Sequence, residues 1–98
     1  MEQKEYVHTL KGDVVASSAD AVRRELERLV RQGVTNLTVD MAEVTEVDSL
    51  GLAVFIGLHL ALKERGGRLT IINTTSEMCE LFQSMRLDQH FSVACKGE

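Results

Sequence analysis

Between Leu50 and Leu62 only Gly51, Gly57 and His59 are not apolar, and this thirteen-residue run is bounded by Asp48-Ser49 before it and by Lys63-Glu64-Arg65-Gly66-Gly67 after it. A membrane span needs about 20 apolar residues, so the run is too short to cross a bilayer. As a helix it is apolar on more than one side, and such a helix must be covered from more than one direction. The rest of the chain therefore has to supply a layered domain around it.

The flanking periodicities supply those layers. Tyr6 to Lys11 alternates as a strand, with Tyr6, His8 and Leu10 on one side. Ser17-Ser18 offers an N-cap, after which Ala19, Val22, Leu26, Leu29 and Val30 recur at helical spacing until Gly33. The charges of that helix, including Asp20/Arg24 and Glu27/Arg31 four apart, lie outside the stripe and form a solvated face. Asn36 to Met41 alternates again, and a loop carries Val44 and Val47 inward before the apolar helix opens. Arg68 to Asn73 reads as a short buried strand. Thr74 and Glu77 have capping-box spacing for a third helix with Met78, Leu81, Phe82 and Met85 as its stripe. Leu87 and Phe91 add late core, and the tail to Val93 is placed as a final edge strand. Strand, helix, strand, helix, strand, helix is the order of an α/β architecture with a largely parallel or mixed sheet.

With 98 residues, the chain is expected to be one domain over 1–98. Fifteen acidic against eleven basic side chains give a net charge of -4, and no Lys/Arg cluster is present to release counterions from a phosphate backbone, so nucleic acid is not expected as a partner. Glu2, Lys4, Glu5 and His8 within the first nine residues leave no signal peptide pattern, and a cytoplasmic protein without direct membrane insertion is expected. Cys79 and Cys95 show neither CxxC nor metal-ligand spacing. They are read as reduced thiols, structural or incidental. No metal or cofactor is expected.

In α/β sheets, sites lie beyond the carboxyl ends of strands, where loops lead into helix N-termini. That directs attention to Asp48-Ser49. The Ser49 hydroxyl is either a capping acceptor or a reactive group set in the field of unpaired N–H donors, and Asp48 is equally able to cap. A serine hydrolase is disfavoured, because Val47 occupies the first glycine position of the nucleophile-elbow pattern Gly-x-Ser-x-Gly. His59 with Lys63 does not make a histidine phosphotransfer helix in a chain with strands. It is read as a core or boundary histidine on the stripe Leu52, Phe55, Ile56, His59, Leu62. No enzymatic activity is expected.

The order Val47-Asp48-Ser49-Leu50-Gly51-Leu52, preceded by Val39-Asp40-Met41 and followed by Glu64-Arg65-Gly66-Gly67-Arg68-Leu69, resembles the STAS family, whose founding members are bacterial anti-sigma factor antagonists. The resemblance runs from about Tyr6 to Val93 and takes in Met85-Arg86-Leu87-Asp88 with Phe91. It implies a mixed sheet of about four strands with three to four helices mainly on one face, from which this chain departs in that the N-terminal edge strand of longer members is short or absent. It also implies a binding protein whose switch serine, matched by Ser49, is phosphorylated by a GHKL-type serine kinase that doubles as anti-sigma factor and dephosphorylated by a metal-dependent serine/threonine phosphatase. A phosphate at a helix N-terminus beside Asp48 adds about -1.5 to -2 charges, enough to weaken a complex without refolding the domain. The alternative is a non-switching STAS scaffold subunit of a transporter or sensory complex.

Where the family usually has Gly-Glu-Leu-Asp after the first strand, this chain has Gly12-Asp13-Val14-Val15, so Asp13 is the candidate to stand in for the acid near the switch. Asp48, Gly51 and Asp13 are thus expected to support the site, with Gly51 permitting close backbone approach. Helical geometry puts Leu50, Val54, Gly57, Leu58, Ala61 and Arg65 opposite the stripe that faces the sheet. Leu50, Val54 and Leu58 are expected to form an exposed docking patch beside Ser49.

Overall fold

The computed structural model describes residues 3–95. Strands β1 (Glu5–Thr9), β2 (Asn36–Asp40), β3 (Arg68–Thr74) and β4 (Ser92–Cys95) alternate with helices α1 (Ala19–Arg31), α2 (Ser49–Glu64) and α3 (Ser76–Ser84), and a 3-10 turn at Leu87–Gln89 precedes β4. The α/β class is as expected. The pairing is parallel throughout rather than mixed: the four strands lie in chain order, with Tyr6 opposite Leu37 and Leu37 opposite Leu69. Each successive pair is joined through a helix, a connection that leaves its two strands pointing the same way.

Right-handed crossovers that always add the next strand on the same side put every helix on one face of the sheet. Burial follows that rule: Leu37, Val39, Leu69 and Ile71 are buried, while Thr38 and Thr70 between them stay half-exposed on the other face. Parallel sheets are usually covered on both faces. Here the uncovered face carries threonines, whose branched side chains suit the pleat and whose hydroxyls tolerate water.

α1 buries Ala19, Leu26, Leu29 and Val30 and stops at Gln32, after which Gly33 at φ +101° turns the chain into β2. Ser18 stands at the N-cap position, but its hydroxyl donates to the Asp13 carbonyl at 2.6 Å instead of capping. α2 sits between the other helices, with Phe55 edge-on to Phe82 of α3 at 6.1 Å between ring centroids. Two details of α3 differ from the sequence reading. Its cap is Thr75, which accepts from the Met78 amide at 3.2 Å, because Thr74 is taken up as the last, fully buried residue of β3. Met85 lies past the helix end and is exposed.

The reading of Cys79 and Cys95 as reduced thiols, structural or incidental, is corrected in their redox state: they are joined as a disulfide between α3 and the end of β4, with 5.8 Å between their Cα atoms. Sixteen residues separate them in the chain, and nothing in that spacing shows that the parallel return of β4 brings its last residue back to the first turns of α3. Among the described residues no helix is long and apolar enough to cross a membrane.

Candidate functional site

Two loops leave the carboxyl ends of β1 and β2 and meet at the start of α2. Val14 and Val47 form a parallel bridge between them, flanked by bonds from the Val14 amide to the Glu46 carbonyl (3.0 Å) and from the Asp48 amide to the Val14 carbonyl (3.2 Å). Both valines are buried, so the junction is anchored from below by the core.

Asp48 is the residue that ties the junction to the helix. Its Oδ1 accepts from the amides of Leu50 and Gly51, each at 3.0 Å, and its Oδ2 accepts from the Ala16 amide at 2.8 Å. One carboxylate thus caps α2 and holds the first loop against it. The cap that the sequence left open between Asp48 and Ser49 is thereby assigned. Asp48 is the cap, and Ser49 is the first helical residue, exposed, with a hydroxyl that bonds to no other described residue.

Asp13 works on the other loop. Its Oδ1 accepts from the Thr45 amide at 2.8 Å, the Thr45 hydroxyl at 2.9 Å and the Glu46 amide at 3.1 Å. Its bonds go to Thr45 and Glu46 and none goes to Ser49, so the acid bonded next to the serine is Asp48. Val15, in the usually acidic position, is half-buried, and its carbonyl accepts from Ser18 and Ala19 at the start of α1.

Gly51 is buried, and a Cβ built on it would lie 2.1 Å from the Val14 carbonyl oxygen and 2.9 Å from Val47 Cγ1. The close approach that a glycine allows here is made by the protein's own first loop. The bare position faces inward, away from any partner.

The docking patch needs a larger correction. Leu50 is 53% exposed, as expected, but Val54 and Leu58 are 8% and 3% exposed, covered by α1, whose Arg23, Leu26 and Glu27 line the same crevice. The apolar stripe of α1 needed a partner, and α2 provides it with the face read as outward. The stripe that does face solvent is Leu50, Ala53, Gly57, Leu60 and Glu64. Its alternating spacing of three and four was available in the sequence, and Leu60 at 54% exposure marks it. Beside its first turn, Ala16, Ala19, Asp20, Arg23, Leu50 and Ala53 line a groove of about 300 Å³.

The electrostatics of the junction carry a pH dependence. Hydrogen bonds hold both carboxyls below the ordinary carboxylate value: for Asp13 chiefly the Thr45 amide and hydroxyl, for Asp48 chiefly the Gly51 amide, then those of Ala16 and Leu50. A carboxyl with a lowered folded value contributes stability that is present above its unfolded value of about 3.9 and lost as the pH falls through the folded one. The Ala16, Thr45 and Gly51 amide resonances are therefore expected to move together below about pH 4. Independent movement in an NMR titration would show that the carboxylates do not hold the two loops as one unit.

The chain matches a family model described as "Mlab, STAS domain" over residues 1–94. It is 30% identical over 89 residues to the anti-sigma-B factor antagonist of Bacillus subtilis, covering 91% of this chain and 81% of that protein. Among solved structures it is similar to an anti-sigma factor antagonist from Mycobacterium paratuberculosis, with a TM-score of 0.82 at 17% identity, covering 96% of this chain and 80% of that one. It is similar also to the Bacillus cell fate determinant SpoIIAA in its phosphorylated form, with a TM-score of 0.72 at 22% identity over 95% of this chain and 85% of that one.

Proposed function

The chain belongs to the STAS domain family, and from that premise we propose that it is a phospho-switch binding protein of the anti-sigma factor antagonist type, with Ser49 as the switch. The observation that carries the reading is the division of labour at the start of α2: Asp48 does the capping, so the Ser49 hydroxyl stays exposed, with no hydrogen bond to another described residue, at the head of an exposed apolar stripe. A relative named as an anti-sigma-B factor antagonist and a fold neighbour solved in a phosphorylated form lend further support.

In this reading the unmodified protein docks through Leu50, Ala53, Gly57 and Leu60 onto a GHKL-type serine kinase that also serves as anti-sigma factor. Phosphorylation of Ser49 places about -1.5 to -2 charges beside the ionised Asp48 and in front of the apolar stripe. The added phosphate competes with Asp48 for the same helix amides and imposes a desolvation cost on the docked surface, so the complex weakens while the fold persists. A metal-dependent serine/threonine phosphatase returns the protein to its binding form. The chain itself acts as a ligand and a substrate in this cycle, and catalyses none of its steps. The reading places it in the bacterial cytoplasm, in the regulation of transcription.

Incubation with the organism's GHKL-type serine kinases and ATP is expected to add the mass of one phosphoryl group, lost in Ser49→Ala. Ser49→Asp is expected to bind the kinase at least about tenfold more weakly, a change of ~1.4 kcal/mol, with unchanged circular dichroism. A phosphate found on Thr45 or Ser76 instead would refute the assignment. No modification by any such kinase would leave the non-switching scaffold subunit as the reading that stands.

A further inference from the structure

We propose that the bond between Cys79 and Cys95 is a reversible thiol–disulfide clasp that fastens β4 to α3, with Cys95 the sulfur that meets an external reagent and Cys79 the one that resolves it. Three observations carry this, and none of them depends on the switch at Ser49. The Cα separation of 5.8 Å lies within the span a disulfide bridges without backbone movement. The two cysteines differ in access: Cys79 is 4% exposed on the inner side of α3, whereas Cys95, at the end of an edge strand, is only half-buried.

The third is the state of the ladder that the bond supplements. Among the described residues β4 pairs only with β3, through Thr70 opposite Ser92 and Ile71 opposite Val93. The register then shifts before Thr74 meets Cys95. Past the shift a 3.4 Å bond from the Thr74 hydroxyl to the Ala94 carbonyl helps to hold the strand. The covalent link is thus the strongest attachment of the end of β4. Because the sheet is parallel, it lies at the same carboxyl edge from which α2 begins.

The chemistry is exchange with a low-molecular-weight disulfide of the glutathione class. The Cys95 thiolate attacks one sulfur of that disulfide, a new S–S bond forms as the old one breaks, and the displaced thiolate takes up the proton Cys95 released. The Cys79 thiolate then attacks Cys95 Sγ in the mixed disulfide, and the second external sulfur leaves as a thiol. Two electrons pass from the cysteine pair to the external disulfide, which becomes two thiols, and an excess of thiol reverses both steps. In the reduced state β4 beyond Val93 comes away from β3 while Phe91, stacked edge-on with Phe82 at 6.2 Å, keeps its root in the core.

The full chain is to be equilibrated with oxidised or with reduced glutathione, alkylated and weighed, then compared in thermal melting and amide exchange. In oxidised glutathione neither cysteine is expected to alkylate, and in reduced glutathione both are. The reduced form is expected to melt about 10 °C lower or more, with Ala94 and Cys95 amides exchanging at least about tenfold faster. Cys95→Ser should behave as the reduced form in either buffer. Two alkylated cysteines in oxidised glutathione, a bond formed between two chains, or equal melting and exchange in both states would overturn the clasp.

Discussion

Leu58→Asp is expected to unfold the chain at 37 °C, whereas Leu60→Asp, two residues further along the same helix, is expected to leave it folded and to impair partner binding. Leu58 is 3% exposed under α1, and Leu60 is 54% exposed on the outer stripe. Removing a buried leucine side chain costs about 2–5 kcal/mol, and an unpaired carboxylate left in its place adds several more. That sum is on the order of the whole stability of a small domain, ~5–15 kcal/mol. At Leu60 the carboxylate stays in water, and stability is expected to change by no more than about 0.5 kcal/mol. Its charge meets the partner instead, where an apolar contact is replaced by a desolvated anion. Thermal melting of both variants, with affinity measured for Leu60→Asp, decides the matter. A folded Leu58→Asp with normal melting would mean that α1 does not cover this face, and full affinity in Leu60→Asp would remove the outer stripe from the docking surface.

The second large effect is expected from a single methyl group. Gly51→Ala places a Cβ that in the present backbone would stand 2.1 Å from the Val14 carbonyl oxygen, far inside contact distance. That atom belongs to the main chain and cannot rotate aside, so the first loop has to move away from α2. The displacement strains the bridge between Val14 and Val47 and the bond from Ala16 to Asp48. Overpacking of this kind costs about 1–3 kcal/mol, and the backbone contact puts Gly51→Ala at the upper end, a fall of roughly 10–20 °C in Tm. Gly57→Ala is the control: nothing lies within 4 Å of the Cβ it would add, and helix propensity favours alanine there by about 1 kcal/mol. The two alanines on one helix should therefore shift Tm in opposite directions. If Gly51→Ala melts like the wild type, the two loops are not packed on α2 as described.

Much of the fold was legible because the chain punctuates itself. Gly33 ends the first helix, Gly66-Gly67 end the second, and Leu37, Val39, Leu69 and Ile71 announce the buried side of β2 and β3 by simple alternation. Ser49 was legible as a position, since Asp-Ser before an apolar run marks a helix start whatever each residue does there. Which of the two caps was not, because both side chains can perform the task and the choice is made by Ala16, a backbone donor from 32 residues away. The outer face of α2 was misjudged for a related reason. A helix apolar on all sides leaves its orientation to its neighbours, and α1 claimed Val54 and Leu58. The disulfide lay beyond reach of local reasoning altogether, being set by where the last parallel strand returns.

The order of the strands in the sheet has a bearing on how the molecule comes into being. Each strand lies beside the one made just before it, so Glu5 waits for Asn36 and Asn36 for Arg68, a closure of about thirty residues each time. Growth of this kind suits a chain emerging from the ribosome, because no early strand has to hold its place for a late one to slip in beside it. The segments that assemble around Ser49, residues 12–18 and 41–53, are both made before β3 begins at Arg68. Of the four described strands the one carrying Cys95 is laid down last, on an edge of the sheet, and its sulfur bond ties it to α3 after the three strands before it have been made.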